Sequence, residues 1–398
     1  IEEDFYYADS TFFEVFTAPA VYGDPAEMLN RPNTLVLTEE IARKYFGNED
    51  PVGKTLVVGE RETQYEVSGV VKGQDPQFSQ FYAAQLYLNP AFTGSTQISR
   101  AGINYRNQWP SIEASYVTYM ATFDHFFIGA NSGVGLMVMS DRETLAGLRN
   151  QGISALYAYQ LPVASRWTLR AGFQAGYFIR DLYFSKLTFG DQFDDTGMIN
   201  PVTGEVFATD WNVNYLDLST GFLFYNSNLW VGFAIHHLTK PNLSFFNESQ
   251  GFEDRLPRKY SIHAGYKINL RGGYTQQVIG GRNQKELNLY PALNYRVQGE
   301  YMQFDAGAYL NYSSLNLGVW YRGIPMRSVN DINSNEAIVF SVGLSTGGLN
   351  IGYSFDYTLS ALGIQSGGAH EVSISYPFFI GDPRKPPKSM GEIPCPRL

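Results

Sequence analysis

Histidines are the first residues of this 398-residue chain to consider for acid–base or metal chemistry. His236 and His237 are adjacent, and neutral imidazoles are common metal ligands. Successive residues of a strand point to opposite faces, so this pair cannot easily reach one ion. His125, His263 and His370 are scattered, and no acidic residue is spaced to complete a site with them. We interpret the histidines as structural and predict no metal site.

Three further patterns could carry chemistry, and each has a simpler interpretation. Asp191, Asp194 and Asp195 could bind Ca²⁺, but the glutamate that completes an EF-hand loop is missing, which favours a solvated loop. Residues 129–135 (GANSGVG) faintly resemble a dinucleotide-binding loop, but no βαβ unit surrounds them. No nucleophile motif supports a Ser–His hydrolase. The sequence therefore predicts neither an enzyme nor a cofactor.

Composition narrows the classes of protein to which the chain can belong. Charged residues make up 17% of it, against about 25% in average globular chains, and it holds 39 Gly, 28 Tyr and 28 Phe. A single cysteine, Cys395, excludes a disulfide framework, and we interpret it as a free thiol. The net charge of −9 argues against nucleic acid as a partner. No apolar run approaches the roughly 18 residues of a spanning helix, whereas a transmembrane β-barrel stays possible.

Charge divides the chain into two modules. Residues 1–73 carry 14 acidic and 6 basic residues, while residues 74–398 carry 24 and 23. All five tryptophans and all five histidines also lie in the second part. Such an abrupt shift predicts a boundary between modules of different class, which we place at Gly73/Gln74.

The first module has the pattern of a small α/β segment. Residues 33–37, 54–58 and 65–71 are predicted strands, and Thr38 is suited to cap a helix that ends at Gly47. The sequence of this segment resembles the MacB-type periplasmic core domain of bacterial ABC permeases, and the resemblance covers only part of that domain. In that family the domain is extracytoplasmic and binds no nucleotide. The matching stretches are 8–16 (ADSTFFEVF), 23–25 (GDP), 37–47 (LTEEIARKYFG), 50–56 (DPVGKTL) and 67–70 (VSGV).

Alternation of apolar and small or polar residues dominates the second module. Residues 349–360 alternate without exception, which fits a strand and fails the helix template. About fourteen such segments occur, an even number as closed bacterial barrels require. The stronger ones are 169–179, 260–268, 302–310, 315–321, 338–344, 349–360 and 372–378; the weaker ones lie near 100–109, 113–123, 132–140, 152–161, 213–225, 229–239 and 286–298. We predict an all-β fold, a closed antiparallel transmembrane β-barrel preceded by the small truncated α/β segment.

The lengths of the predicted links support this fold. Tight links at 226–228, 313–314 and 347–348 alternate with long ones, as expected for short periplasmic turns and long outer loops. The long links are 181–212, 240–257, 323–336 and 361–369; the stretch 271–285 is a long link on the predicted inner side. A soluble β-sandwich or propeller also alternates, but charge depletion, strand length and link lengths favour the barrel. Residues 381–398 are predicted to form a Pro-rich periplasmic tail, a possible docking segment.

Arginines inside predicted strands must avoid lipid, where each would cost about 2–4 kcal/mol at the midplane. We expect most of them to face the lumen and to pair with acidic residues, which is compatible with either a lumen filled by side chains or an open one. The arginines are Arg100, Arg106, Arg170, Arg180, Arg296 and Arg322, and the acidic residues are Asp217, Glu300, Asp305 and Asp356.

The second module resembles the PorP/SprF family of Bacteroidetes outer-membrane proteins over its whole length. The matching stretches are 74–84 (QDPQFSQFYAA), 86–94 (LYLNPAFTG), 236–242 (HHLTKPN), 256–266 (LPRKYSIHAGY), 319–323 (VWYRG), 366–376 (SGGAHEVSISY) and 394–397 (PCPR). The resemblance implies a fourteen-stranded barrel in the cell outer membrane, tied to the type IX secretion system and gliding motility. Its members are needed for secretion or surface attachment of large cargo such as adhesins, and some associate with periplasmic machinery.

The domain assignment follows from the two resemblances. Residues 1–73 are a partial MacB-like domain, residues 74–380 the barrel and residues 381–398 the tail. In the family, the stretch that begins at Gln74 follows a secretory signal peptide directly. We therefore favour the interpretation that residues 1–73 come from a different gene, joined by a gene-model or assembly error, over a natural fusion. A native peptide spanning Lys72 to Tyr82, seen by mass spectrometry, would exclude that interpretation.

The leading hypothesis is a non-enzymatic outer-membrane barrel that receives or anchors secreted cargo proteins. Its expected partners are cargo or adhesin proteins, type IX secretion components and outer-membrane lipid. Candidate cargo contacts are the loop aromatics Phe189, Phe193, Phe245 and Phe246. The alternative is a passive diffusion porin, which a steady open-pore current would reveal.

Overall fold

The fold is seen in a computed structural model of the chain. It describes residues 20–23, 27–38, 42, 45–46, 49–58, 63–71, 75–111, 115–144, 147–164, 166–182, 193–194, 197–198, 212–243, 255–271, 287–299, 301–329, 332–359, 364–380 and 393–396. Among these residues, no helix has the length and apolar character needed to cross a membrane.

The first module contains a four-stranded mixed sheet. Its strands are β1 (Ala20–Tyr22), β2 (Thr34–Thr38), β3 (Thr55–Val58) and β4 (Thr63–Val71). The long strand β4 pairs with the other three, in parallel with β2 and antiparallel with β1 and β3. A small core of Leu37, Ala42 and Val67 packs on one side. The strands predicted at 33–37, 54–58 and 65–71 are therefore confirmed.

The second module contains a large antiparallel sheet. Its strands are β5 (Ser99–Gln108), β6 (Tyr116–Phe127), β7 (Ser132–Glu143), β8 (Leu148–Ala164), β9 (Trp167–Leu182), β12 (Asn212–Tyr225), β13 (Leu229–His236), β14 (Lys259–Tyr266), β15 (Ile268–Arg271), β16 (Leu287–Gln298), β17 (Tyr301–Tyr312), β18 (Leu315–Val329), β19 (Ile332–Thr346), β20 (Leu349–Thr358) and β21 (Ala369–Phe378). A separate hairpin joins β10 (Phe193–Asp194) to β11 (Gly197–Met198).

The large sheet closes on itself. Strands next to each other in the chain pair, except that β9 pairs with β12 and β14 with β16, and β5 pairs with β21 from Ser99–Phe378 to Gln108–Ala369. Strands β14 and β15 occupy one position in the wall, because both pair with β16. The wall thus has fourteen positions, and the prediction of a closed antiparallel barrel of about fourteen strands is confirmed.

Side chains alternate between the two faces of the wall, as a barrel in lipid requires. On β12, Leu216, Phe222 and Phe224 are exposed on the outer face, whereas Asp217 and Leu223 are buried on the inner face. The outer face is lipid-compatible along the strand beyond Asn214, because the exposed residues there are apolar or aromatic. Tyr225 at the end of β12 is 2% exposed and belongs to the inner face.

The two ends of the barrel differ, and we name them by what they carry. The loop mouth carries the links 183–211 and 237–258, and the terminal mouth is where β5 begins and β21 ends. The predicted long link 323–336 is wrong for most of its length, because β18 and β19 continue to a short link at 330–331. Backbone pairing of Ser328 with Asn333 extends the β18–β19 hairpin, and the pairing shifts register near Gly323.

Residues 75–98 precede β5 and lie inside the barrel; we call them the plug. They contain one short helix, α1 (Gln85–Leu88), and a 3₁₀ turn (Pro90–Phe92). The plug supplies much of the apolar core, which inward residues of the wall complete. The buried plug members are Phe78, Phe81, Tyr82, Ala84, Leu86, Leu88, Ala91 and Phe92.

Candidate functional site

The plug begins at the loop mouth, where three charged side chains hold it; we call Asp75, His237 and Lys259 the latch. Asp75 Oδ2 accepts hydrogen bonds from His237 Nε2 at 2.7 Å and from Lys259 Nζ at 2.6 Å. His237 Nδ1 donates to Asp217 Oδ2 on β12 at 3.0 Å. Lys259 Nζ also lies 4.7 Å from the ring centroid of Tyr87 in the plug. The latch therefore joins the start of the plug to β12 and β14 and to the link after β13.

Electrostatics keep the latch charged at neutral pH. Burial of the His237 ring lowers its pKa, but the charge of Asp75 and the hydrogen bonds to Asp217 and Asp75 outweigh burial and raise that pKa from 6.5 to about 9. Burial raises the pKa of Asp75, yet the charges of His237 and Lys259 hold it well below its usual 3.8. A buried ion pair that loses one partner costs about 3–5 kcal/mol, so each latch residue depends on the others.

Deeper in the lumen, an alternating chain of charges lines the wall from β16 to β5 and β21. Three arginines and three carboxylates alternate in it, so the chain is neutral. Its members, in order of contact, are Arg296, Asp305, Arg322, Asp356, Arg106 and Glu371, with closest N–O distances of 3.1, 2.8, 2.9, 2.9 and 3.5 Å. The predicted pairing with acidic residues is confirmed for Arg106, Arg296 and Arg322.

Ser79 of the plug sits at the centre of this chain. Its Oγ donates to Asp356 at 2.7 Å and accepts from Arg106 at 2.8 Å and from Arg322 at 3.0 Å. The backbone N–H of Ser79 donates to Glu371 Oε2 at 2.6 Å. Ser79 is therefore bound to four charged wall residues. Each hydrogen bond to a charged group contributes about 1.5–3 kcal/mol.

Aromatic contacts fix the middle of the plug. Phe81 packs edge-on against Trp320, with ring centroids 5.2 Å apart. The indole of Trp230 donates a hydrogen bond to the Tyr82 hydroxyl at 3.1 Å. Aromatic pairs contribute about 0.5–1.5 kcal/mol beyond the area they bury. The plug is thus packed against the wall as a protein core is packed.

Near the terminal mouth the backbone of the plug touches the wall directly. Asn89 donates from its amide to the carbonyls of Phe222 at 3.1 Å and Phe233 at 3.2 Å. Arg170 Nε donates to the Ala91 carbonyl at 2.9 Å. This approach is possible because glycines face the plug: a Cβ on Gly172 would lie 2.6 Å from Ala91 Cα. Two further wall glycines are as crowded by the plug, Gly133 by Thr93 and Gly221 by Asn89.

The described part of the C-terminal tail, residues 393–396, also reaches the plug. Ile393 is 8% exposed and belongs to the same apolar core. Cys395 Sγ accepts a hydrogen bond from Gln85 Nε2 at 3.3 Å. An apolar side chain gains by burial, so Ile393 packs against the plug rather than standing in solvent.

One cavity lies between the plug and the wall. The cavity near the latch, which Tyr87, His236, Lys259 and Arg296 help to line, has a volume of about 20 Å³. That is room for about one water molecule. This cavity is too small for an organic substrate.

The residues singled out from the sequence have different outcomes. His237 has a left-handed backbone, φ +58°, which turns its ring back into the loop mouth beside Asp75. The assumption that His236 and His237 lie on one regular strand is therefore wrong, since β13 ends at His236. No group of three potential metal ligands occurs in the part of the chain that the structure describes. Arg170 pairs with the plug rather than with an acidic residue.

Loop residues proposed as cargo contacts remain predictions. Phe189, Phe245 and Phe246 lie outside the described residues. The backbone of Phe193 lies in β10 and pairs with Met198. Of the candidate Ca²⁺ ligands, Asp194 is in the same hairpin, and Asp191 and Asp195 lie outside the described residues.

The plug itself is what the sequence reasoning missed. Residues 75–98 follow neither a strand nor a helix period, although they are dense in aromatic residues and lie before the first strand. A second signal was glycine on the inward register of strands, at Gly172 and Gly221. Inward glycine in a wide barrel indicates that something approaches the wall closely.

Sequence families match both modules. The model of the type IX secretion system membrane protein PorP/SprF matches residues 70–376, and that of the MacB-like periplasmic core domain matches residues 2–133. The two matches overlap over residues 70–133, where the structure has the plug and the first barrel strands. No curated protein matches the chain significantly.

Solved structures with a similar architecture are distant. A FadL homologue of Pseudomonas aeruginosa is 11% identical, with a TM-score of 0.37, over 72% of this chain and 93% of that one. The toluene transporter TodX of P. putida is 9% identical, with a TM-score of 0.37, over 74% and 93%. The KdgM porin is 9% identical, with a TM-score of 0.28, over 70% and 99%. Similarity this weak carries no argument about function.

Proposed function

The chain belongs to the type IX secretion system membrane protein PorP/SprF family, and from this premise we propose that it is a plugged barrel that supports secretion or surface anchoring of large cargo proteins such as adhesins. Membership and fold place the protein in the outer membrane. The family and the fold are also those of a non-enzymatic barrel of the secretion machinery.

The filled lumen is the observation that carries this proposal. A fourteen-stranded wall with strands about 4.8 Å apart and tilted by about 40° has a backbone diameter of about 28 Å, wide enough for an aqueous channel if empty. Here the plug core, the charge chain and the latch occupy that space. Because the described residues pack the lumen at these levels, we take the two mouths rather than a conduit as the useful surfaces.

Orientation follows from the links. Barrels of the outer membrane place short turns in the periplasm and long loops outside. The links 183–211 and 237–258 support an orientation with the loop mouth at the cell surface. Cargo would contact this mouth, with Phe189, Phe193, Phe245 and Phe246 as candidate contacts. Components of the type IX machinery would contact the terminal mouth.

Planar-bilayer recording of the purified protein tests the lumen. The expected result is no steady open-pore current. A steady current would support the passive porin instead and would overturn the plugged-barrel proposal.

Cargo contact is tested by replacing the four loop phenylalanines with alanine together. We expect less cargo at the cell surface while the barrel still shows different mobility in SDS before and after boiling. Phe127→Ala with Tyr312→Ala is the matched control, because these are exposed aromatics at the terminal mouth. Equal loss of cargo in both variants, or no loss in either, would contradict the assignment.

A further inference from the structure

The latch fixes where the chain enters the barrel. Asp75 is held by His237 and Lys259, which lie after the end of β13 and at the start of β14, at the loop mouth. From there the plug crosses the lumen, because β5 begins with Ser99 at the terminal mouth. The plug thus runs inward from the loop-bearing end.

The length of chain before Asp75 decides which end the first module can occupy. Val71, the last residue of β4, is four positions from Asp75, and four residues span at most about 14 Å. Asp217 marks the level of Asp75 in the wall, because His237 is hydrogen-bonded to both carboxylates. Asp217 is eight positions from Tyr225 at the terminal mouth. Eight strand residues rise about 26 Å, or about 20 Å along the barrel axis at a tilt of about 40°. The link is too short to reach the terminal mouth.

The route through the lumen is also closed. The plug core fills the barrel between the level of Ser79 and the level of Asn89, and both of these residues are buried. A folded sheet of four strands cannot pass such a packed interior.

We propose that the first module is presented at the loop mouth, on the same face as the links 183–211 and 237–258. This step rests on the proposed function, whose orientation makes that face the cell surface, and on residues 1–73 being a natural part of the chain rather than of a different gene. Residues 1–73 carry a net charge of −8, so the mouth combines the loops with an acidic module. Such a composite face suits a partner with a basic contact surface. A domain related to periplasmic permease domains would then stand outside the outer membrane.

Cysteine labelling of the full chain in intact cells tests the placement. In a Cys395→Ser background, single reporters are placed in the first module (Glu49→Cys), at the loop mouth (Thr239→Cys) and at the terminal mouth (Ser314→Cys), all at exposed positions. A membrane-impermeant maleimide–polyethylene glycol is applied before and after permeabilisation, and labelling is read on the full-length band.

The placement of the first module is read from how its cysteine labels relative to the cysteines at the two mouths. We expect Glu49→Cys to label in intact cells as fully as Thr239→Cys, while Ser314→Cys labels only after permeabilisation. Labelling of Glu49→Cys that follows Ser314→Cys would overturn the inference. If Ser314→Cys labels in intact cells and Thr239→Cys does not, the proposed orientation is wrong. The inference that the module shares the loop mouth then still holds if Glu49→Cys follows Thr239→Cys.

Discussion

Replacing Gly172 with alanine should unseat the plug. The added Cβ would lie 2.6 Å from Ala91 Cα and closer still to two other backbone atoms of the plug. Carbon atoms in contact prefer about 3.5–4.0 Å, so the plug must retreat by about 1 Å. The hydrogen bond from Arg170 to the Ala91 carbonyl, now 2.9 Å, would then open beyond hydrogen-bond distance.

The cost can be worked from these contacts. Overpacking a well-packed interior costs about 1–3 kcal/mol, and losing a hydrogen bond to a charged group costs about 1.5–3 kcal/mol. Together these give about 2.5–6 kcal/mol. At 1.4 kcal/mol per factor of ten, the ratio of seated to unseated plug falls by about 10²- to 10⁴-fold. The barrel ladder itself is untouched, because the wall pairs through its own backbone.

Two assays follow the change. Planar-bilayer recording should show open-channel events in Gly172→Ala that the unmodified protein lacks, and the midpoint of heat unfolding in SDS should fall. Gly129→Ala is the matched control, since a Cβ there meets nothing within 4 Å. If Gly172→Ala matches both the control and the unmodified protein in current and midpoint, the plug does not pack against this wall and the reasoning fails.

Three more outcomes are expected from the latch and the charge chain. Because the pKa of His237 is raised from 6.5 to about 9, its stabilising charge is fully present below pH 6.5 and is lost as the pH rises through 9; channel openings should increase over that window. Asp75→Asn should remove this pH dependence and destabilise the seated plug by about 3–5 kcal/mol, measured from the SDS unfolding midpoint, whereas Glu49→Gln, which breaks an exposed pair, should leave it unchanged. A flat pH profile in the unmodified protein would contradict the latch. Ser79→Ala should lower the midpoint of unfolding in SDS, while Ser227→Ala in an exposed turn should not. Equal midpoints for the two variants would show that Ser79 does not stabilise the charge chain.

The wall was predictable because lipid imposes a strict period of two. Residues 349–360 alternate completely, and the structure has β20 at Leu349–Thr358. The cost of charge in lipid likewise predicted that Arg106 and Arg322 face inward and meet Asp356. Strand ends were less certain, since β18 and β19 continue beyond the alternating segments, where side chains need not alternate between lipid and lumen.

The plug was not predictable from the same signal. A segment enclosed on all sides has no single buried face and so no period. Its position depends on contacts between residues far apart in the chain, such as Ser79 with Asp356 and Asp75 with Lys259. The turn at His237 was missed for a similar reason, because the left-handed backbone there is not that of a regular strand.

The seam between β5 and β21 has a consequence for the order of assembly. It joins the first and last strands of the wall, so the cylinder can close only after the final strand has been made. The plug comes before β5 in the chain and is too tightly enclosed to be threaded in afterwards. We infer that the plug first packs against the open sheet and that the sheet then closes around it. Refolding followed by hydrogen exchange would check this order: protection of the Ser79 amide should not lag behind that of the seam.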